Sequence, residues 1–338
     1  MQRYDRYALT ASSVAVVLTT AFRYIPGLAD GYREHIFLPV SAWARRYTGA
    51  TSLPLAEIWM IAGCAMLAAS MIRLMIRLNT VKLRQWFGKM MCIISTTVLA
   101  YTVLWAPLYY CTSAFEEATE TVRLLEAFCG ELIDSLNGLA ERFELPDLRT
   151  ISAEAAGLVS DECGVWLSAP KTVRYPEAFS AVGIAGIYVP FTFESLLNPN
   201  DIAPALPFTA CHELAHQAGY AREEEANFVA WLACRKGGSY FRYSGDFTML
   251  TSAMARLRAL DGEVWEECVE RMSPALLYDF RSANGLGEAA ENASHQRQAW
   301  ISDVFLRMNG QKSGLESYDR SVLLAMGYFE RNGMRLTF

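Results

Sequence analysis

The chain of 338 residues carries a net charge of −6 and is 52% hydrophobic, with a positive mean hydropathy that is high for a soluble protein. The acidic balance, with no basic stripe interleaved with aromatics, leaves no footprint for a nucleic-acid partner. The length suits one large domain or two modest ones, and the apolar excess lies in the first 115 residues, so an entirely water-soluble chain is not expected.

Residues 7 to 22 carry no charge, between Arg6 and Arg23, and Tyr24, Ile25 and Pro26 extend this run toward the roughly 20 residues a span needs. Arg3 and Arg6 would also suit a signal peptide, but no clean small-residue cleavage site follows, so an uncleaved first span over about 7–26 is expected. Residues 29 to 53 mix charges with Phe37, Leu38, Val40, Trp43 and Tyr47, a pattern that suits an interfacial amphipathic helix and equally an ordinary loop. A second span is expected over 54–76 and a third over about 90–112, closed by Trp105, Tyr109 and Tyr110 as an interfacial belt.

The connector between these spans, residues 73 to 89, holds five Lys or Arg and no acid, so it should face the cytoplasm. With three spans, the N-terminus then lies inside and everything after residue 115 outside the cytoplasmic membrane. The counterweight is the first loop, with Arg23, Arg33, Arg45 and Arg46. The chain thus reads as a multi-pass membrane domain over 1–115, partnered by the lipid bilayer, and a second domain over 116–338.

From Glu116 to Phe143 the apolar positions Val122, Leu125, Phe128, Leu132 and Leu136 recur at helical spacing. A short helix over about 150–160 follows. Val165 to Phe193 is the one strand-like region, with β-branched and aromatic residues at Val165–Leu167 and from Ile184 to Phe193. Ile187 to Thr192 is a candidate strand for holding a substrate backbone, or a plain core hairpin. Glu194 beside it is expected at the surface.

Residues 207 to 235 carry the chemistry. His212, Glu213 and His216 form H-E-x-x-H. Residues four apart share one helical face, so one cation can sit between the two imidazoles while Glu213 reaches a water beside it. A zinc site of this type needs a third protein ligand and an open position. Gly219 can end the first helix, and Glu223, Glu224 and Glu225 open a second. Glu223 is the expected third ligand, with Glu225 the runner-up, and Asn227, four residues on, could support it. After the motif, Ser239 to Gly245 reads as a donor-rich loop, and residues 246–260, 262–282, 288–309 and 319–330 as helices. The eight cysteines include no C-x-x-C pair; Cys211 and Cys234 read as core residues, and Cys129, Cys163 and Cys268 could include a disulfide in an oxidising space.

The run HELAHQ-x-G-x-ARE-x-EAN resembles the domain-of-unknown-function 3810 family of bacterial membrane proteins. The likeness extends to Gly186–Thr192 and Glu194 upstream, and to Tyr243-Ser244-Gly245, Asn309-Gly310-Gln311 and Ser317-Tyr318 downstream. More distantly, Glu223-x-x-x-Asn227 is similar to the glutamate helix of gluzincin peptidases, which implies Glu223 as a zinc ligand. The link between the two helices is far shorter than in those enzymes.

The resulting expectation is an α-rich α+β chain: three transmembrane helices followed by a zincin-like, mostly helical domain with a small sheet. Its function would be a Zn2+ metallopeptidase acting on a peptide or protein substrate, with Glu213 as general base and Tyr243 or Tyr318, ahead of His295 and Arg242, as oxyanion donors. The alternative is a non-catalytic membrane sensor or binding protein with a structural metal. Nothing in the sequence fixes the oligomeric state.

Overall fold

The computed structural model describes residues 3–76, 80–141, 144–283 and 316–336. It is rich in helix, with one three-stranded sheet, as expected. The chain divides into two compact units, the first formed by residues 1–112 with 189–194, the second by 113–188 with 195–338.

The first unit contains α1 (Arg3–Tyr24), a helical stretch made of α2 (Leu28–Tyr32), a π turn (Arg33–Phe37) and α3 (Leu38–Thr48), then α4 (Leu55–Ile76) and α5 (Thr80–Leu104). Among the described residues two helices are long and apolar enough to cross a membrane, Leu55–Ile76 and Leu83–Leu104; the bent pair Tyr4–Tyr24 and Leu28–Thr48 would make a third. α1 lies along α5 in parallel: Tyr4 meets Gly88 and Ser12 donates to or accepts from Ser95 at 3.1 Å.

The third apolar helix departs from the expected 90–112. It begins ten residues earlier and stops at Leu104, followed by a 3-10 turn, Ala106–Tyr110. Pro107 is the reason: its ring would clash with the Val103 carbonyl if the helix continued. That carbonyl instead accepts a hydrogen bond from the Tyr32 hydroxyl.

Glu194, expected at the surface, is buried. Its carboxylate accepts the N–H groups of Leu55 at 3.3 Å and Ala56 at 2.7 Å, capping the start of α4, where free amides and the helix dipole favour an anion. Phe191 stacks on Trp59 in the same unit, at 5.4 Å between ring centres.

In the second unit, α6 (Val122–Ala140) starts six residues later than its apolar pattern allowed, because Thr121 caps it by accepting the Leu124 N–H at 3.2 Å. α7 (Leu148–Cys163) is longer than expected: Asp147 caps its start and Gly164, at φ 66°, ends it. Strand β1 is Lys171–Thr172, so Val165–Leu167 is not a strand. The sheet order is β1-β3-β2, with β2 at Gly186–Val189, β3 at Glu194–Leu197, and β1 parallel to β3. α8 (Pro176–Ala181) lies between β1 and β2 in sequence.

The core forms around α9 (Leu206–Gln217) and α10 (Glu223–Lys236). α10 is buried along most of its length, wrapped by α7, α9, α11 (Ser239–Leu260) and α14 (Glu316–Arg331). Trp231 is its largest fully buried side chain, donating to Asp246 at 3.0 Å, and Arg235 closes on both oxygens of Asp246 at 2.7 and 2.8 Å. The expected helix over 262–282 is two, α12 (Gly262–Glu270) and α13 (Pro274–Ala283), since Pro274 restricts the residue before it. The expected helix over 288–309 lies outside the described residues.

Candidate metal centre

α9 presents His212 and His216 one turn apart, with ring centres 4.6 Å from each other. Its start is fixed from another element. Pro207 has no N–H to satisfy, and the free N–H of Phe208 is taken by the Ser244 hydroxyl at 2.9 Å. Phe208 in turn stacks on the His212 ring at 6.4 Å.

The turn from α9 to α10 is five residues long, residues 218–222. Gly219 sits at φ 91°, a conformation side chains resist, and lets the chain reverse at once. The reversal turns the Tyr220 carbonyl onto Nδ1 of His216 at 2.7 Å. A carbonyl only accepts, so Nδ1 carries a hydrogen and Nε2 is the nitrogen turned toward Glu223.

Glu223, the first residue of α10, meets both histidines: 3.3 Å to His212 Nε2 and 3.5 Å to His216 Nε2. The three ligand atoms lie within 4.8 Å of one another, the arrangement of residues able to hold a metal ion. The neighbouring acids are used elsewhere. Glu224 pairs with Arg320 at 3.3 Å and Glu225 with Arg222 at 2.5 Å, so the geometry selects Glu223 from the three. Asn227 is buried one turn further on, and among the described residues no hydrogen bond joins it to Glu223.

The donor set fits a metal. Two imidazoles and one carboxylate suit a first-row transition ion better than calcium or magnesium, which take oxygen ligands. Opposite charges within the cluster act on one another. Burial pushes the His216 pKa down, but the charge and hydrogen bond of Glu223 outweigh it and raise it to about 9. Burial pushes the Glu223 carboxyl up, and the two histidines overcome this and hold it well below the usual range. Among the described residues, Nδ1 of His212 is buried without a hydrogen-bond partner, so this ring is held by packing and by Glu223 rather than by a second polar contact.

Glu213 stands apart from the three donors. It is buried, and burial raises its pKa against the opposing pull of His212 and His216. Its carboxylate accepts the N–H of Tyr188 on β2. β2 presses directly on it: a Cβ on Gly186 would come 2.8 Å from Cγ and 2.9 Å from Oε1 of Glu213. The far end of α9 is pinned as well. Gln217 accepts the Ser168 N–H at 2.8 Å and donates to the Ser195 hydroxyl at 3.2 Å, and Ser195 donates to the Glu213 carbonyl at 2.9 Å.

Not all expected residues arrive here. Ser239–Gly245 is no loop but the first two turns of α11. Tyr243 is fully buried, and its hydroxyl donates to Asp279 on α13 at 2.5 Å; burial first, and the Asp279 carboxylate after it, raise its pKa above the ordinary tyrosine value. The segment earns its place by packing: Ser244 caps α9, and Gly245 admits Cys234, whose Cβ would lie 2.6 Å from any added Cβ. Arg242 is exposed. Tyr318 falls in the first turn of α14 with its side chain outside the described residues, as His295 is altogether. The supports from Tyr220, Ser195 and Ser168 carry no motif signal; Gln217 lies inside the quoted run, but only the fold gives it a role.

No curated protein and no solved structure shows a significant match to this chain. A family model does, over residues 32–326, which takes in the site and most of both units. It is described as Protein of unknown function (DUF3810), and the chain belongs to that family.

Proposed function

We propose that this DUF3810 protein is a membrane-anchored zinc metallopeptidase. The observation that carries the reading is the separation of roles in one place: His212, His216 and Glu223 converge as donors, while Glu213 is held beside them by β2 and is not drawn into the donor set. A purely structural site needs no such fourth group. Zinc bound there supplies a Lewis acid that makes water nucleophilic near neutral pH. Glu213, its affinity for a proton raised by burial, takes the proton of the attacking water and returns it to the leaving amine. The Tyr188 N–H holds that carboxylate against β2. Gly186–Val189, an outer strand of the sheet, is the surface along which an extended peptide would lie.

The parallel run of α1 along α5 agrees with an N-terminus and a basic connector on one side of the membrane; the charge of that connector argues for the cytoplasmic side, which would leave the chain after residue 115 outside. The test is metal content and peptide turnover of the full chain in detergent, for wild type, His216→Ala and Glu213→Gln. The expected result is one zinc per chain in wild type and Glu213→Gln, none in His216→Ala, and cleavage of a quenched peptide library by wild type alone. A wild type that holds no zinc overturns the reading.

A further inference from the structure

The helical stretch Leu28–Thr48 has two faces of opposite fate. Phe37, Ser41 and Arg45 are buried, and Arg45 donates to Ser41 at 3.0 Å. On the other side Ile36, Val40, Trp43 and Tyr47 are 51, 44, 63 and 65% exposed. Their spacing of four, three and four residues makes a single continuous stripe. Trp43 and Tyr47 touch along it, with ring centres 4.9 Å apart. The π turn at Arg33–Phe37 keeps the buried face in line, since it lengthens the step from buried Tyr32 to buried Phe37 to five residues.

A stripe of this kind has several conceivable covers, and the geometry of the first unit selects one. α1 packs along α5, an apolar helix of spanning length, so the two share a direction. Leu28–Thr48 turns from α1 by 114°, closer to a right angle than to a reversal. A helix so bent from one that follows the membrane normal runs near the membrane plane. Its far end, Thr48, is only seven residues before Leu55, where the span-length helix α4 begins, so it lies within about 25 Å of that helix end. Tryptophan and tyrosine are the residues that favour the headgroup level, and the exposed Arg46 borders the stripe, placed to meet lipid phosphates.

We infer that Leu28–Thr48 is an in-plane interfacial helix whose stripe Ile36, Val40, Trp43 and Tyr47 is seated at the boundary between lipid headgroups and acyl chains. The inference rests on the membrane association of the first unit. It assigns that unit a lipid-contacting surface beyond its spans.

The test uses the full chain with Cys64, Cys92, Cys111 and Cys163 replaced by alanine, the other four cysteines being buried. Nitroxide labels are placed by Ile36→Cys, Val40→Cys, Trp43→Cys, Tyr47→Cys and, as a solvent control, Glu34→Cys, whose side chain is exposed. The labelled protein is reconstituted in phosphatidylcholine–phosphatidylglycerol vesicles. Power saturation then compares oxygen, which partitions into lipid, with a water-soluble nickel chelate. The four stripe positions should favour oxygen and the control should favour nickel. Nickel access at Trp43→Cys and Tyr47→Cys equal to the control overturns the inference. Spin–spin broadening at Trp43→Cys that vanishes on dilution with unlabelled chain overturns it too, by showing a second copy on the stripe. Release of the unlabelled chain from membranes by alkaline carbonate would instead overturn the membrane association beneath it.

Discussion

His216 donates its Nδ1 hydrogen to the Tyr220 carbonyl four residues along the chain, and this one contact fixes which nitrogen faces Glu223. The carbonyl owes its direction to Gly219 at φ 91°. Gly219→Ala should therefore weaken zinc binding by about tenfold or more, the usual scale for losing support behind a ligand. Competition against a chromophoric chelator measures it; an unchanged affinity would mean that the turn is not what orients the ring.

Metal uptake should release a proton. Ligation needs an unprotonated Nε2, and in the metal-free protein the His216 pKa is raised to about 9. Below that pH the ion must displace a proton, so apparent affinity should climb as pH rises toward 9 and flatten above it. Glu223, held low, is ionised across this window and adds no slope. Calorimetry in two buffers of different ionisation enthalpy should give about one proton per metal at pH 7.5, and equal heats in both buffers would contradict the assignment.

Gly186→Ala should damage turnover without removing the metal. The new methyl group would crowd Glu213 and also come 2.9 Å from Thr209, so β2 or the carboxylate must shift. A misplacement on the order of 1 Å costs about 100-fold in rate. Zinc content by mass spectrometry should stay at the wild-type level; loss of zinc would show that β2 supports the donors rather than the base.

Tyr243→Phe tests the correction at that position. It removes one hydroxyl from Asp279 and should cost about 1 kcal/mol of stability. Turnover per bound zinc should be unchanged. A large fall in turnover with stability intact would restore Tyr243 to the chemistry.

Asp246→Ala strands the guanidinium of Arg235, whose side chain is 2% exposed, and removes the acceptor of Trp231 and Ser135. Breaking a buried pair from one side costs about 3–5 kcal/mol. Denaturant titration of the detergent-solubilised chain should show it, and Asp246→Asn should lose less.

The cluster of His212, His216 and Glu223 was legible in the sequence because these residues are local. H-E-x-x-H and the acid opening the next helix need only two helices and a tight turn, and both formed. What was hidden depended on distant partners. Nothing near Glu194 announces that it caps a helix starting at Leu55, and nothing near Tyr243 announces Asp279. The stretch Ser239 to Gly245 read as a loop, yet the glycine that ends it is equally what a close helix crossing needs. The apolar run ending near residue 112 concealed the stop at Leu104, since hydropathy counts Pro107 as one residue among many whereas the backbone treats it as a boundary.

The hairpin from α9 to α10 has one more consequence. All three donors fall within the twelve residues from His212 to Glu223. Closing so short a loop costs little chain entropy, and contacts this local form quickly. The donor set thus depends on contacts close in sequence rather than on distant ones. Its donors come together through one hairpin, and the rest of the chain steadies that hairpin from Ser244, Ser168 and Ser195 and brings β2 against Glu213.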